Sequence, residues 1–462
     1  MRLSYIHIVS LVLTCVVTLL PGFIAARKIK SADDYNVGGR SAGTGLVAGS
    51  IIGTIVGGAA TVGTAQLGFK LGLTAWWFTL GSGIALCIMA LFYAVPLRKS
   101  GLTTVSEFLV GSYGPVAGVF ASLSASAGIF FSIVASTLTA LHLVAGIFNI
   151  SLPMSAVFIV LFTAGLVFFG GISGSGMAGI LKIAFIFATI FVGGFLSFNH
   201  MGGWQGLHTA FPAYPWFSLF GRGVQDGLFS FVSMLVGVIS TQSYVQAIFS
   251  AKDSKTAAAG CVTAALIVIP VGLPSVLIGM FMHLHHPDIN SIEALPLYLL
   301  HYLPDWLGGI GIGAVLLSAL GSIAGLSLGI GTMLSRDIVK NLWRSIGSVQ
   351  LLWASRFSVL LVTVGAIAFV FMHLDSSVLE WNYLSMALRG SGIFLPLTFA
   401  VFFPGRIWPR LGAAAVIAGI VGSCLWKHVA GSDINSLFPA LALNLLFLIP
   451  GLIYGTYKLS KK

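Results

Sequence analysis

Ser318 and Ser322 stand four residues apart in a run of small residues, so on a helix their hydroxyls share one face. Hard cations prefer oxygen ligands. Two such oxygens, joined by carbonyls freed from a broken helix elsewhere, would make a dehydrated monovalent-cation site. The alternative is that these residues only pack and bond back onto the preceding turn, as small residues do in membrane interfaces. Arg389, within Arg389-Gly390-Ser391-Gly392, lies in the middle of an apolar stretch. A charge at that depth either grips a substrate, for which the guanidinium fork suits a carboxylate, or bonds carbonyls at a helix break. Asp226 follows Arg222 by four residues, the spacing of a helical ion pair near the surface. No span carries paired titratable groups in acid–base arrangement, so an enzyme is not expected. His283, His285 and His286 lack a consistent metal-ligand spacing. Cys15, Cys87, Cys261 and Cys424 lie in apolar stretches without a CxxC pair, and read as small buried hydrophobes.

The elements that carry these residues must be membrane helices. Of 462 residues, 57% are hydrophobic and 8% charged, where a soluble chain has about 25% charged residues. Lipid leaves only helices or closed barrels, and the long, non-alternating apolar runs select helices. The fold class is therefore all-α and polytopic. About thirteen spans of the required length are present, at 6–26, 44–69, 72–96, 114–148, 153–171, 174–198, 223–248, 256–284, 306–335, 352–373, 378–403, 408–428 and 436–457. The cations fall in alternate loops: Arg27, Lys28, Lys30 and Arg40; Arg98 and Lys99; Lys252 and Lys255; Arg336, Lys340 and Arg344; Arg406 and Arg410; and Lys458, Lys461 and Lys462. The 285–305 loop has acids and no Lys or Arg. By the positive-inside rule the N-terminus is outside, the C-terminus is cytoplasmic, and the membrane is the inner (plasma) membrane. The net charge of +11 is thus explained by loops and not by nucleic acid. The first run has most of its charges after it, which favours a retained span over a cleaved leader.

Two spans are unusual. The second holds Gly45, Gly49, Gly53, Gly57, Gly58, Gly63 and Gly68. It either packs tightly or breaks near Gly53–Gly58, freeing carbonyls for a cation. The seventh is polar and Gly-punctuated through Asp226, Gly227, Ser230, Ser233, Gly237, Ser240, Thr241 and Gln242. An odd offset separates the two, as a five-plus-five inverted repeat needs.

Three stretches together resemble the solute:sodium symporters over essentially the whole chain. They are Ala32-Asp33-Asp34-Tyr35 through Gly38-Gly39-Arg40 ahead of the Gly-rich span, Thr241-Gln242-Ser243-Tyr244-Val245-Gln246 with Ala251-Lys252, and Ser318–Ser322 leading into Ser335-Arg336-Asp337-Ile338. The resemblance implies a single transmembrane transporter domain over 1–462. It would have an extra first span at 6–26, a ten-helix core of leucine-transporter type at 44–403, broken in spans two and seven, and two further spans at 408–457. It also implies a sodium site at Gly53, Val56, Ser318, Gly321 and Ser322. Gly321 departs from the family pattern, which has Ser or Thr there, so one oxygen ligand is missing. Loss of that hydroxyl implies looser sodium binding, another cation, or uncoupled transport. The substrate-contact positions fall on Ala60, Met234 and Gly237, which offer no hydrogen bonds to a sugar. With Arg389 available, a small anionic or zwitterionic solute is expected. The function implied is import by sodium symport through alternating access, with Na+ as coupling ion and no other cofactor. The partners are a small-molecule substrate and the lipid bilayer. Two rivals are a transporter-like solute sensor, disfavoured because the chain ends at Lys462 just after its last span, and a channel, which would want a continuous polar pore.

Overall fold

The computed structural model describes residues 3–26, 32–343, 345–430 and 435–460. Arg27, Lys28, Lys30, Arg344, Lys461 and Lys462, which entered the charge pattern, lie outside them. The regular structure among the described residues is helical, with one isolated bridge. The first helix, α1, runs Tyr5–Ala26. Span two is split into α2 (Thr44–Ile55) and α3 (Thr64–Leu71), joined through a π turn at Ala59–Gly63. α4 (Trp77–Ile88) continues through a second π turn to Ser100. The short α5 (Val105–Tyr113) precedes α6 (Pro115–Phe148). α7 (Leu152–Ile186) continues through a π turn into α8 (Val192–His200). Span seven is α9 (Val224–Ile239) plus α10 (Gln242–Ser250), bent by 41° between them. Then follow α11 (Ser254–His285), α12 (Asp305–Met333), α13 (Ser348–Phe371), α14 (Val378–Phe402), α15 (Pro409–Ala430) and α16 (Leu437–Ser460).

Among the described residues, nine helices are long and apolar enough to cross a bilayer, or ten with the bent pair, and three shorter apolar helices accompany them. The thirteen expected spans therefore do not map one to one. In particular, 153–171 and 174–198 were expected as separate spans, whereas helical structure runs from Leu152 through Ile186. Gly176–His200 is nonetheless a candidate span by itself, and Leu152–Gly165 is one of the shorter apolar helices.

Both predicted breaks are present. At the first, Val56 leaves the helical region with ψ 73°. At the second, Ser240 and Thr241 interrupt the helix and the Thr241 hydroxyl donates back to Gly237 O at 2.6 Å. Among the candidate spans α12 is the most enclosed, 89% buried, so the residues it turns toward the breaks are shielded from lipid.

The motif residues around span seven fasten one end of the bundle. Gln246 Nε2 donates to Asn36 O (2.6 Å) and to Thr332 Oγ1 (3.1 Å), and Thr332 Oγ1 donates to Asn36 Oδ1 (3.0 Å). Gln242 accepts from Val105 N and donates to Thr103 O, so it ties α10 to the start of α5. Ala42 N donates to Ser250 O and Lys252 N donates to Ala42 O, both at 3.0 Å, which forms the parallel bridge. Arg98 reinforces it, with Nε donating to Ala251 O (2.5 Å) and a terminal nitrogen to Lys252 O (3.3 Å).

Candidate functional site

Glycine contacts determine where the cation-site residues meet. A Cβ at Gly179 of α7 would lie 2.2 Å from Gly49 O and 2.9 Å from Gly53 Cα, so α2 and α7 cross backbone against backbone. A Cβ at Gly57 would lie 2.1 Å from Ser322 Oγ, and one at Gly325 2.5 Å from Thr54 Oγ1, which seats the break of span two directly on α12. Only glycine permits either approach.

Where α2 stops, the carbonyls near its end lose their helical partners, and side chains from α7 and α12 replace them. Ser322 Oγ donates to Thr54 O at 2.8 Å, and Ser318 Oγ donates to Val56 O. Gly53 O accepts from Lys182 Nζ at 2.5 Å, and the same ammonium reaches Ser318 O at 3.3 Å. All five residues expected around a cation, Gly53, Val56, Ser318, Gly321 and Ser322, are thus gathered at one break. Lys182 is gathered with them. It was not among the sequence candidates, although an isolated lysine inside a span was a visible signal. It is 1% exposed.

Of the substrate candidates, Ala60 lies just past the first break, and Met234, Gly237 and Arg389 lie beside the second. Ala60, in the π turn of span two, and Met234 are fully buried. A Cβ at Gly237 would meet Met386 Cβ at 2.3 Å, and one at Gly81 would meet Met234 Cβ at 2.9 Å, so α9 is clasped between α4 and α14. Arg389 of α14 has no exposed surface. Its guanidinium donates to Thr241 Oγ1 (2.7 Å), Ser132 Oγ (2.6 Å), Ser385 Oγ (2.6 Å) and Ser385 O (3.2 Å). It therefore bonds hydroxyls beside the break of span seven. Among the described residues no carboxylate lies within ion-pair distance of Arg389 or of Lys182.

A cavity of about 270 Å³ opens at the end of the bundle opposite the Ala42–Ala251 bridge, and it includes Arg222, Phe229, Tyr383 and Ala387 in its lining. Arg222 pairs there with Asp226 (3.5 Å) and with Glu380 (3.7 Å); the first is the pair expected from spacing, with Arg222 in the turn just before α9. Tyr383 and Ala387 bring α14 into its lining, and Arg389 is not part of it. His283 stacks among Phe69, Phe211 and Trp216. Among the described residues no group of three or more His, Cys, Asp or Glu could hold a metal ion.

Comparison with known proteins agrees with this arrangement. The model of the Sodium:solute symporter family matches residues 35–422. The human high affinity choline transporter 1 is 25% identical over 96% of this chain and 79% of its own length. The Sodium/sialic acid symporter NanT of Aliivibrio fischeri is 25% identical over 93% of this chain and 89% of its own. A substrate-bound, outward-open structure of a Na+-coupled sialic acid symporter superposes with a TM-score of 0.81, at 20% identity, over 98% of this chain and 97% of the other. A nucleobase-cation-symport-1 family transporter in a closed conformation gives 0.58 at 13% identity, covering 92% and 95%.

Proposed function

Because the chain belongs to the sodium:solute symporter family, we propose that it imports a small solute bearing a carboxylate, anionic or zwitterionic, by alternating access driven by a cation gradient. Secondary transport coupled to sodium is the activity of that family. The relatives include carriers named for choline and for sialic acid, solutes of opposite charge. Kinship therefore does not choose the charge, and this chain's own residues must.

The observation that carries the choice is Arg389. A buried guanidinium without a carboxylate partner is costly, and it lies beside the break of span seven. Lys182 adds a second buried cation without an acid. The interior is thus electropositive. A solute carboxylate would be attracted to it, while a quaternary ammonium would be repelled. Ala60, Met234 and Gly237 would form the apolar wall of the solute site and leave hydroxyl-rich sugars without partners. The ten-helix core at 44–403 would rock around the two breaks, with span one and the last two spans outside it. The cation-rich loops support an inner-membrane orientation with the N-terminus outside and the C-terminus cytoplasmic. The cavity at Arg222 would then face outward, and the Ala42–Ala251 bridge would close the cytoplasmic side.

The test is uptake into proteoliposomes of a labelled short monocarboxylate, a neutral amino acid, a sugar and choline, under sodium and proton gradients. Accumulation of a carboxylate-bearing solute is expected, with weaker apparent affinity in Arg389→Lys. Accumulation of choline alone would overturn the charge assignment. No accumulation under any cation gradient would overturn transport itself.

A further inference from the structure

Gly321 and Lys182 are two halves of one substitution. A Cβ on Gly321 would stand 3.4 Å from Lys182 Nζ and 3.9 Å from Gly53 O. The hydroxyl of a serine or threonine there would stand beside the ammonium, in the space the ammonium occupies next to Gly53 O. The residue that removes an oxygen ligand is the one that makes room for a built-in positive charge. We propose that the Lys182 ammonium takes the place of the coupling sodium ion between spans two and nine, so that the cation bound and released at this position is the proton on Nζ. This rests on the reading of the chain as a cation-coupled carrier and specifies the cation.

The geometry supports it on three counts. Lys182 Nζ bonds Gly53 O and Ser318 O, and so joins the end of α2 to α12 as a bound ion would. The hydroxyls of Ser318 and Ser322 already donate to Val56 O and Thr54 O, which closes the remaining carbonyls of the break. Among the described residues no carboxylate is within ion-pair distance, so a sodium ion added beside the ammonium would meet like charge with nothing to offset it. Of the helices packed against α7, α2 carries no titratable group and α12 has Asp305 at its far end. His7 and Cys15 of α1, His142 of α6, Arg356 of α13, and Asp34 and Tyr35 ahead of α2 make no hydrogen bond to Nζ.

A tethered side chain does not leave its site, so the exchange is confined to one N–H bond. With the proton on, the charged nitrogen holds α2 against α12. When the N–H bond breaks, the proton passes to water on the side then open, and the neutral amine no longer supplies the charge that binds the two carbonyls. Re-protonation from the opposite side resets the site.

The experiment uses the purified full chain and does not need the solute. Radioactive 22Na+ binding is measured by scintillation proximity for the wild type, Lys182→Ala and Lys182→Ala/Gly321→Ser. The double variant is expected to bind one more sodium ion per chain than the wild type. Equal sodium stoichiometry in wild type and a monodisperse double variant would overturn the proposal. A second measurement compares the melting temperature of the wild type, and of Lys182→Ala, in NaCl against KCl at equal ionic strength. A ligand that binds only the folded state raises the melting temperature by mass action. No sodium-specific rise is expected, and a saturable sodium-specific rise abolished by Lys182→Ala would overturn the assignment. Neither result depends on solute uptake, so failure of the transport reading and failure of this one are separate outcomes.

Discussion

Replacing Gly179 by Ala tests whether the backbone crossing of α2 and α7 positions Lys182. The added methyl carbon would sit 2.2 Å from Gly49 O and 2.9 Å from Gly53 Cα, where ordinary contact begins at 3.4 Å. The overlap with the oxygen is 3.4 − 2.2 = 1.2 Å. Both atoms struck are main chain, so no rotamer change relieves it, and the helices must part by about 1 Å. Overpacking of this kind costs about 1–3 kcal/mol. Lys182 follows Gly179 by three residues on the same helix, so it moves with that wall. Its bond to Gly53 O, now 2.5 Å, would stretch by a similar distance, past hydrogen-bonding range. The assay is thermal unfolding in detergent of Gly179→Ala beside Gly111→Ala. At Gly111 nothing lies within 4 Å of the added carbon, and the exchange should be neutral or stabilising by about 0.5–1 kcal/mol. Gly179→Ala should melt several degrees lower and lose most uptake, while Gly111→Ala should keep both. If Gly179→Ala melts with the wild type and transports normally, the close crossing is not what sets the Lys182 position, and the argument fails.

Other outcomes follow from single contacts. Arg389→Met removes four hydrogen bonds and leaves the hydroxyls of Thr241 and Ser132 facing an apolar chain. Uptake should be abolished and stability should fall by about 1.5–3 kcal/mol, while Arg389→Lys should keep the fold and weaken solute affinity in a concentration series. Thr104 caps α5, accepting from Glu107 N (3.0 Å) and donating to Asp337 Oδ1 (3.0 Å). Thr104→Ala should cost about 2–3 kcal/mol in unfolding experiments and Thr104→Ser much less. Asp253 caps α11, and the Thr256 N–H, at 2.7 Å, holds its carboxyl below the usual range of 3.8. A carboxyl lowered by folding stabilises above its unfolded value, and that contribution is lost as pH falls below about 4. Amide exchange at Thr256 should quicken there, and in Asp253→Ala it should be fast at every pH.

The break of span two was legible because glycine density and freed carbonyls are local properties, and the Ser318–Ser322 pair because helical spacing is local too. Gly321 could be seen to lack an oxygen. What filled the space could not be read, because the filler sits 139 positions earlier and arrives only through the crossing at Gly49 and Gly179. Lysine inside a span was itself visible, but its partner was not, since carbonyls carry no signature in the sequence. Arg389 was open between gripping a solute and bonding a helix break. Ser385 stands one helical turn before it and was readable by spacing, but the hydroxyls of Ser132 and Thr241, on other elements, converge on it only in three dimensions.

The bridge between Ala42 and Ala251 has a consequence for how this protein can vary. Every acceptor in it is a carbonyl, and two of its donors are main-chain N–H groups. Such a latch is nearly silent to side-chain drift: most substitutions at Ala42, Ser250, Ala251 or Lys252 keep the same atoms. Proline at Ala42 or Lys252 is the exception, because it deletes the donor itself. The sequence at this end can therefore diverge while the main-chain bonds of the bridge are kept, and the one side chain whose loss would remove bonds from it is Arg98.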